Sequence, residues 1–189
     1  MPAAEVVDFT KLKPYYHAPG ARLSEGITYM NETKTLVWVD IYKGEVHKVE
    51  HIQKPETSHD YINIGLDNYK SNAHIKYPHP EAAKETIGVV FPLVEKEQTD
   101  HIERVLFASK YGIARASFVT KEWEYIVLYT DCPNIAQDRA LRLRSNDGNV
   151  SPCGPYLYVG LMNDFDYPLK DEGCIVRVHL RNKTVEMIW

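Results

Sequence analysis

Thr35-Leu36-Val37-Trp38-Val39-Asp40-Ile41, a glycine at 44, and then Glu45-Val46-His47-Lys48-Val49-Glu50 form the stretch that decides the fold. The first run is β-branched and aromatic, and the second alternates polar with apolar. The glycine between them supplies a turn, so the stretch reads as two antiparallel strands and not as an amphipathic helix. Trp38 and Val39 are neighbours on a strand and therefore face opposite sides. Working outward, further strand-like runs occur at 88–94, 105–108, 125–129, 156–161, 175–180 and 184–189. Thirteen tyrosines suit half-buried sheet surfaces. Short strands divided by turn signals predict an all-β sandwich, barrel or propeller. The polar segment 53–84, with Pro55, Pro78, Pro80 and three histidines, reads as a long excursion. The segment 134–141 reads as a possible helical turn. No linker divides the chain, so one domain is expected over 23–189, after an N-terminal segment 1–22.

The 189 residues hold 22 Lys plus Arg against 26 Asp plus Glu, a net charge of −4. Such a chain has no electrostatic pull on nucleic acid or an anionic membrane surface. No apolar run reaches the ~18–20 residues of a membrane span. Residues 1–13 show no basic stretch followed by an apolar one, so no secretory signal is expected. Three cysteines, Cys132, Cys153 and Cys174, are an odd set without CxxC spacing, in keeping with a reducing cytoplasmic setting. Cys132 reads as a small apolar core residue. His47 and His51 are four apart, but on a strand that spacing separates them by ~13 Å, so they read as surface histidines. His59, His74 and His79 follow no zinc pattern. Phosphate-binding, dinucleotide-binding, nucleophile-elbow and zinc-protease motifs are all missing.

Three ordered segments resemble one family. Leu23-Ser24-Glu25-Gly26-Ile27-Thr28-Tyr29 precedes Leu36-Val37-Trp38-Val39-Asp40-Ile41 and Gly44-Glu45-Val46-His47. Arg144-Ser145-Asn146-Asp147-Gly148-Asn149-Val150 precedes Pro152, Gly154 and Tyr158-Val159-Gly160-Leu161-Met162. Gly173-Cys174-Ile175-Val176-Arg177-Val178 follows. In this order and spacing they resemble the gluconolactonase / senescence marker protein (regucalcin) family over nearly the whole chain.

The resemblance implies a six-bladed β-propeller around a divalent cation such as Ca²⁺, Zn²⁺, Mn²⁺ or Mg²⁺. Blades of about 40–45 residues make this chain roughly three blades long, a partial propeller. It also implies a metal-dependent hydrolase that opens sugar lactones. Glu25 matches the family's first metal ligand. Arg144 and Asn146 match residues of its substrate pocket, where a guanidinium and an amide suit sugar oxygens. All three are expected to face one concavity. Read without the resemblance, Glu25 is a solvated carboxylate and 144–148 a solvent-facing loop turned by Asp147-Gly148. The family's later ligands, an Asn and an Asp that is also the presumed base, fall beyond Trp189. The chain alone is therefore expected to bind cations weakly and to hydrolyse lactones poorly. Asp164 follows Met162 as a candidate polar group, and Phe165 and Tyr167 are more aromatic than a sugar pocket suggests. The alternatives are a non-enzymatic interaction module, which self-associates or pairs with another chain through its exposed sheets, or an inactive truncated product.

Overall fold

The computed structural model describes residues 13–70, 75–76, 78, 85–94 and 101–189. His74 and His79 lie outside the described residues. Among the described residues twelve strands form three four-stranded antiparallel sheets. The first sheet is β1 (Ser24–Met30), β2 (Thr35–Asp40), β3 (Glu45–Val49) and β4 (His59–Asn63), in sequence order. The second is β5 (Ile87–Leu93), β6 (Arg104–Ser109), β7 (Gly112–Ser117) and β8 (Trp123–Leu128). The third is β9 (Leu143–Val150), β10 (Tyr156–Asn163), β11 (Cys174–His179) and β12 (Thr184–Met187). Each sheet is a meander, the form of a propeller blade. Among the described residues helical structure is limited to short pieces, among them α1 (Pro55–Ser58) and α2 (Gln137–Arg142).

Two apolar layers hold the blades together. Val37, Val39, Val46 and Ile62 of the first blade pack against Val90, Val105, Phe107 and Trp123 of the second. Leu106, Ile113 and Val127 of the second pack against Leu157, Val159, Val176 and Val178 of the third. Period-2 alternation generates this arrangement: on β11, Cys174, Val176 and Val178 are buried while Ile175, Arg177 and His179 are half-buried. Val39 lies in the first layer and Trp38 faces away from it, as their alternation requires. Cys132 and Cys174 are buried in the second layer.

Three expectations need correction. The polar excursion contains β4, the outer strand of blade 1, paired from Glu45↔Asn63 to Val49↔His59. Asp147 and Gly148 do not make a turn. They lie within β9, opposite Gly160 and Val159, beside a register shift that absorbs the irregularity. His47 is buried at 5% exposure, because β3 sets it between Trp38 and Tyr61.

A candidate functional site at the channel mouth

The first strand of each blade, β1, β5 and β9, is the innermost. Together they line a cleft of about 530 Å³ whose walls include Gly26, Val89 and Gly148. The second residue of each inner strand is Glu25, Gly88 and Arg144. Gly88 has to be small: a Cβ there would lie 2.6 Å from the Ser145 carbonyl group. Its N–H donates to Ser145 Oγ (3.1 Å), and that hydroxyl donates to the Ala108 carbonyl (2.7 Å). This seam fixes β9, and with it Arg144, against blade 2.

The loop between the second and third strands of each blade supplies the rest of the mouth. These loops bring Tyr42 from blade 1, Lys110 and Tyr111 from blade 2, and Asp164, Phe165 and Tyr167 from blade 3. Asp40, fully buried at the end of β2, orders the blade 1 side. Its carboxylate accepts the backbone N–H groups of Arg22 (2.7 Å), Leu23 (3.3 Å) and Lys43 (3.2 Å).

Arg144 is 3% exposed. Its Nη1 donates to the Ser145 carbonyl (2.8 Å) and to Asn146 Oδ1 (3.3 Å). Among the described residues its Nη2 reaches only the Met162 sulfur (3.3 Å), and its Nε–H has no hydrogen-bond partner. Asp164 Oδ1 stands 4.0 Å from that Nε, outside hydrogen-bond range, while Asp164 Oδ2 pairs with the buried Lys110 ammonium. The guanidinium lies over the Phe165 ring, 4.2 Å from its centroid. Phe165 stacks on Tyr42 at 4.4 Å, and Arg22 lies 5.4 Å from the Tyr42 ring centre. Lys110 similarly approaches the Tyr111 and Tyr167 rings, at 5.5 and 5.2 Å. Burial lowers the pKa of Arg144, and the negative charges of Asp164 and Glu25 oppose that shift. Glu25 thus lies within electrostatic reach of Arg144, and Asn146 touches it directly. Glu25 itself is exposed. Among the described residues no group of three or more His, Cys, Asp or Glu side chains is arranged to hold a metal ion.

A second polar cluster lies on the face of blade 1 turned away from blade 2. Trp38, His47 and His59 stack at 5.1–5.5 Å. Tyr16 Oη meets His59 Nδ1 (2.8 Å), and His59 Nε2 meets His47 Nδ1 (2.9 Å). His47 Nε2 faces Glu45 Oε2 (3.3 Å), which also pairs with Lys43 (2.8 Å). Burial lowers both histidine pKa values, that of His47 to about 4.

Three four-stranded meander blades, with charged and aromatic loops at one end of their inner strands, define a partial β-propeller. The chain belongs to the SMP-30/gluconolactonase/LRE-like family, which it matches over residues 23–188. It is 54% identical to an uncharacterized protein of Saccharomyces cerevisiae over 94% of this chain and 50% of the yeast protein. It is 36% identical to the cell growth-regulated gene 1 protein of Candida albicans, over 83% of this chain and 42% of that protein. The chain therefore spans about half the length of the curated relatives it matches. Among solved structures it is similar to a luciferin-regenerating enzyme (TM-score 0.58, 20% identity, 87% of this chain and 44% of the enzyme). It is also similar to a calcium-binding protein, regucalcin, of Agrobacterium tumefaciens (TM-score 0.56, 17% identity, 88% and 43%). These two likenesses concern the fold. Among the described residues no helix is long and apolar enough to cross a membrane.

Proposed function

We propose that the chain supplies the oxygen-binding wall of a divalent-metal-dependent sugar lactonase site. Arg144 and Asn146 hold the oxygens of the lactone, and Glu25 is one carboxylate ligand of the cation. The observation behind this reading is the buried Arg144 guanidinium, whose Nε–H receives no acceptor among the described residues. A buried donor without an acceptor costs about 1–3 kcal/mol, so its retention favours a ligand oxygen in that place. A fixed positive group also stabilises negative charge developing on an attacked ester. Ca²⁺ takes roughly six to eight oxygen ligands. The described residues provide far fewer, so we expect the isolated chain to hydrolyse lactones slowly.

The test is a pH-stat assay with D-glucono-1,5-lactone, with and without Ca²⁺, Mn²⁺ or Zn²⁺, alongside calorimetric binding. The proposal expects weak hydrolysis and sugar binding that Arg144→Ala removes. Binding unchanged in both Arg144→Ala and Asn146→Ala would overturn it. A second reading, a partner-binding module, is favoured by the exposure of Ile27, Tyr29 and Tyr61 on blade 1. Concentration-dependent self-association in size-exclusion chromatography, lost in Tyr61→Lys, is what that reading expects.

A further inference from the structure

The blades use their faces unequally. The faces that meet inside the molecule are aliphatic: Val37, Val39 and Val46 look to blade 2, and Leu157, Val159 and Val176 look back to it from blade 3. Period-2 alternation turns the residues between them the other way. On blade 1 these include Leu36, Trp38, His47 and Tyr61, and on blade 3 Tyr156, Tyr158, Ile175 and Arg177. Among the described residues no further sheet covers either of these end faces.

The end faces have the composition of an interface. Tyr, Trp and Arg are enriched where proteins meet. On blade 1 Tyr29 and Tyr61 are 44% and 51% exposed, and beside β12 of blade 3 Trp189 is 81% exposed. A hollow of about 460 Å³ on the blade 1 face is lined by Leu36, Trp38 and Val49, with Ala18 and Ala21 of the segment before β1. That segment belongs to the face, since Tyr16 meets His59 (2.8 Å) and packs edge-on against Trp38. Charges are paired within each blade: Lys43 with Glu45 (2.8 Å) on blade 1, and Arg177 with Glu186 (2.6 Å) on blade 3. Both pairs survive when the faces are covered.

The chain's three blades correspond to about half the length of the curated relatives, so a ring of this family has room for about six. Three blades then fill about half a turn. A two-fold rotation sets the blade 1 face of one copy on the blade 3 face of another, and the reverse contact forms in the same step, which closes the ring.

We infer that the two end faces form one docking surface whose occupant is a second copy of this chain, related by a two-fold axis along the channel. The contact continues the blade-to-blade interface that blade 2 already makes with both its neighbours. The inference rests on the partner-binding reading and deepens it, because it names the partner and the face that meets Tyr61.

Sedimentation velocity over a hundredfold range of concentration tests this on the wild-type chain, on Tyr61→Lys in the blade 1 face and on Arg177→Glu in the blade 3 face. The wild type should pass from one chain to two as concentration rises, and stop at two. Each variant should weaken the pair at least tenfold. A mixture of the two variants should pair more tightly than either alone, because a mixed pair keeps one interface free of both substitutions. Pairing indifferent to Arg177→Glu, or growth beyond two chains, would overturn the inference and leave the partner-binding reading standing. A wild type that stays single throughout would overturn both. If a variant does not fold, hydrogen–deuterium exchange of the wild type at the two ends of the range decides. Slower exchange at high concentration in blades 1 and 3, with blade 2 unchanged, is expected, and protection confined to blade 1 would overturn the inference.

Discussion

Two polar clusters of the molecule differ in what their uncompensated atoms face. On blade 1 a run of contacts passes through Tyr16, His59, His47, Glu45 and Lys43. Tyr16 Oη meets His59 Nδ1, and His59 Nε2 meets His47 Nδ1. Glu45 Oε2 lies 3.3 Å from His47 Nε2 and 2.8 Å from the Lys43 ammonium, so charge holds it where a hydrogen bond does not. At the channel mouth Lys110, Asp164 and Arg144 are all buried, and among the described residues Arg144 Nε–H has no acceptor. A buried acceptor set against an ammonium is compensated in place, whereas a buried donor without an acceptor retains a cost that a ligand oxygen removes. The histidine stack fastens Tyr16, ahead of β1, to the first blade.

Breaking the mouth network gives the largest expected effect. Asp164→Ala leaves the Lys110 ammonium buried without its carboxylate, a loss of about 3–5 kcal/mol. Urea unfolding should show a correspondingly lower midpoint. The blade 1 network is tested by pH. The folded-state pKa of His47 lies below its unfolded value of 6.5, so the unfolded chain binds more protons between about 4 and 6.5. Stability from this group is complete above pH 6.5 and declines as pH falls towards 4, by roughly 2–3 kcal/mol for a shift of this size. His47→Asn should flatten that slope in urea midpoints measured from pH 7 to 4. Next, Phe165→Ala removes the ring over Arg144 and the stack on Tyr42, at a cost of about 1–2 kcal/mol. The smallest effect is that of Glu25→Gln. The side chain is exposed, and thermal unfolding should change by no more than about 0.5 kcal/mol.

The fold was legible wherever a strand advertises itself by its own residues. Val37, Trp38 and Val39, or Val176 and Val178, alternate strongly enough to place β2 and β11. It was illegible where a partner decides. His59–Asn63 is polar and becomes a strand only because β3 lies alongside it. Asp147-Gly148 has the chemistry of a turn but is held extended by β10, with Gly148 so close to the Tyr158 carbonyl that a Cβ would lie 2.6 Å from it. The burial of His47 follows from cross-strand register, which no local window contains. In the site, Arg144, Asn146 and Glu25 stood out through resemblance, and Phe165 and Asp164 as departures from it. Lys110 and Tyr42 gave no signal, because they sit on loops of different blades and meet the third only in the folded chain.

We propose that β9 supplies the oxygen-binding groups of the site, while among the described residues the cation has Glu25 and too few further ligands. Calorimetric titration of the chain with Ca²⁺, Mn²⁺ and Zn²⁺ tests this most directly. The account predicts no saturable binding in the micromolar range. Micromolar binding of any of the three, abolished by Glu25→Gln, would show a complete metal site and contradict it.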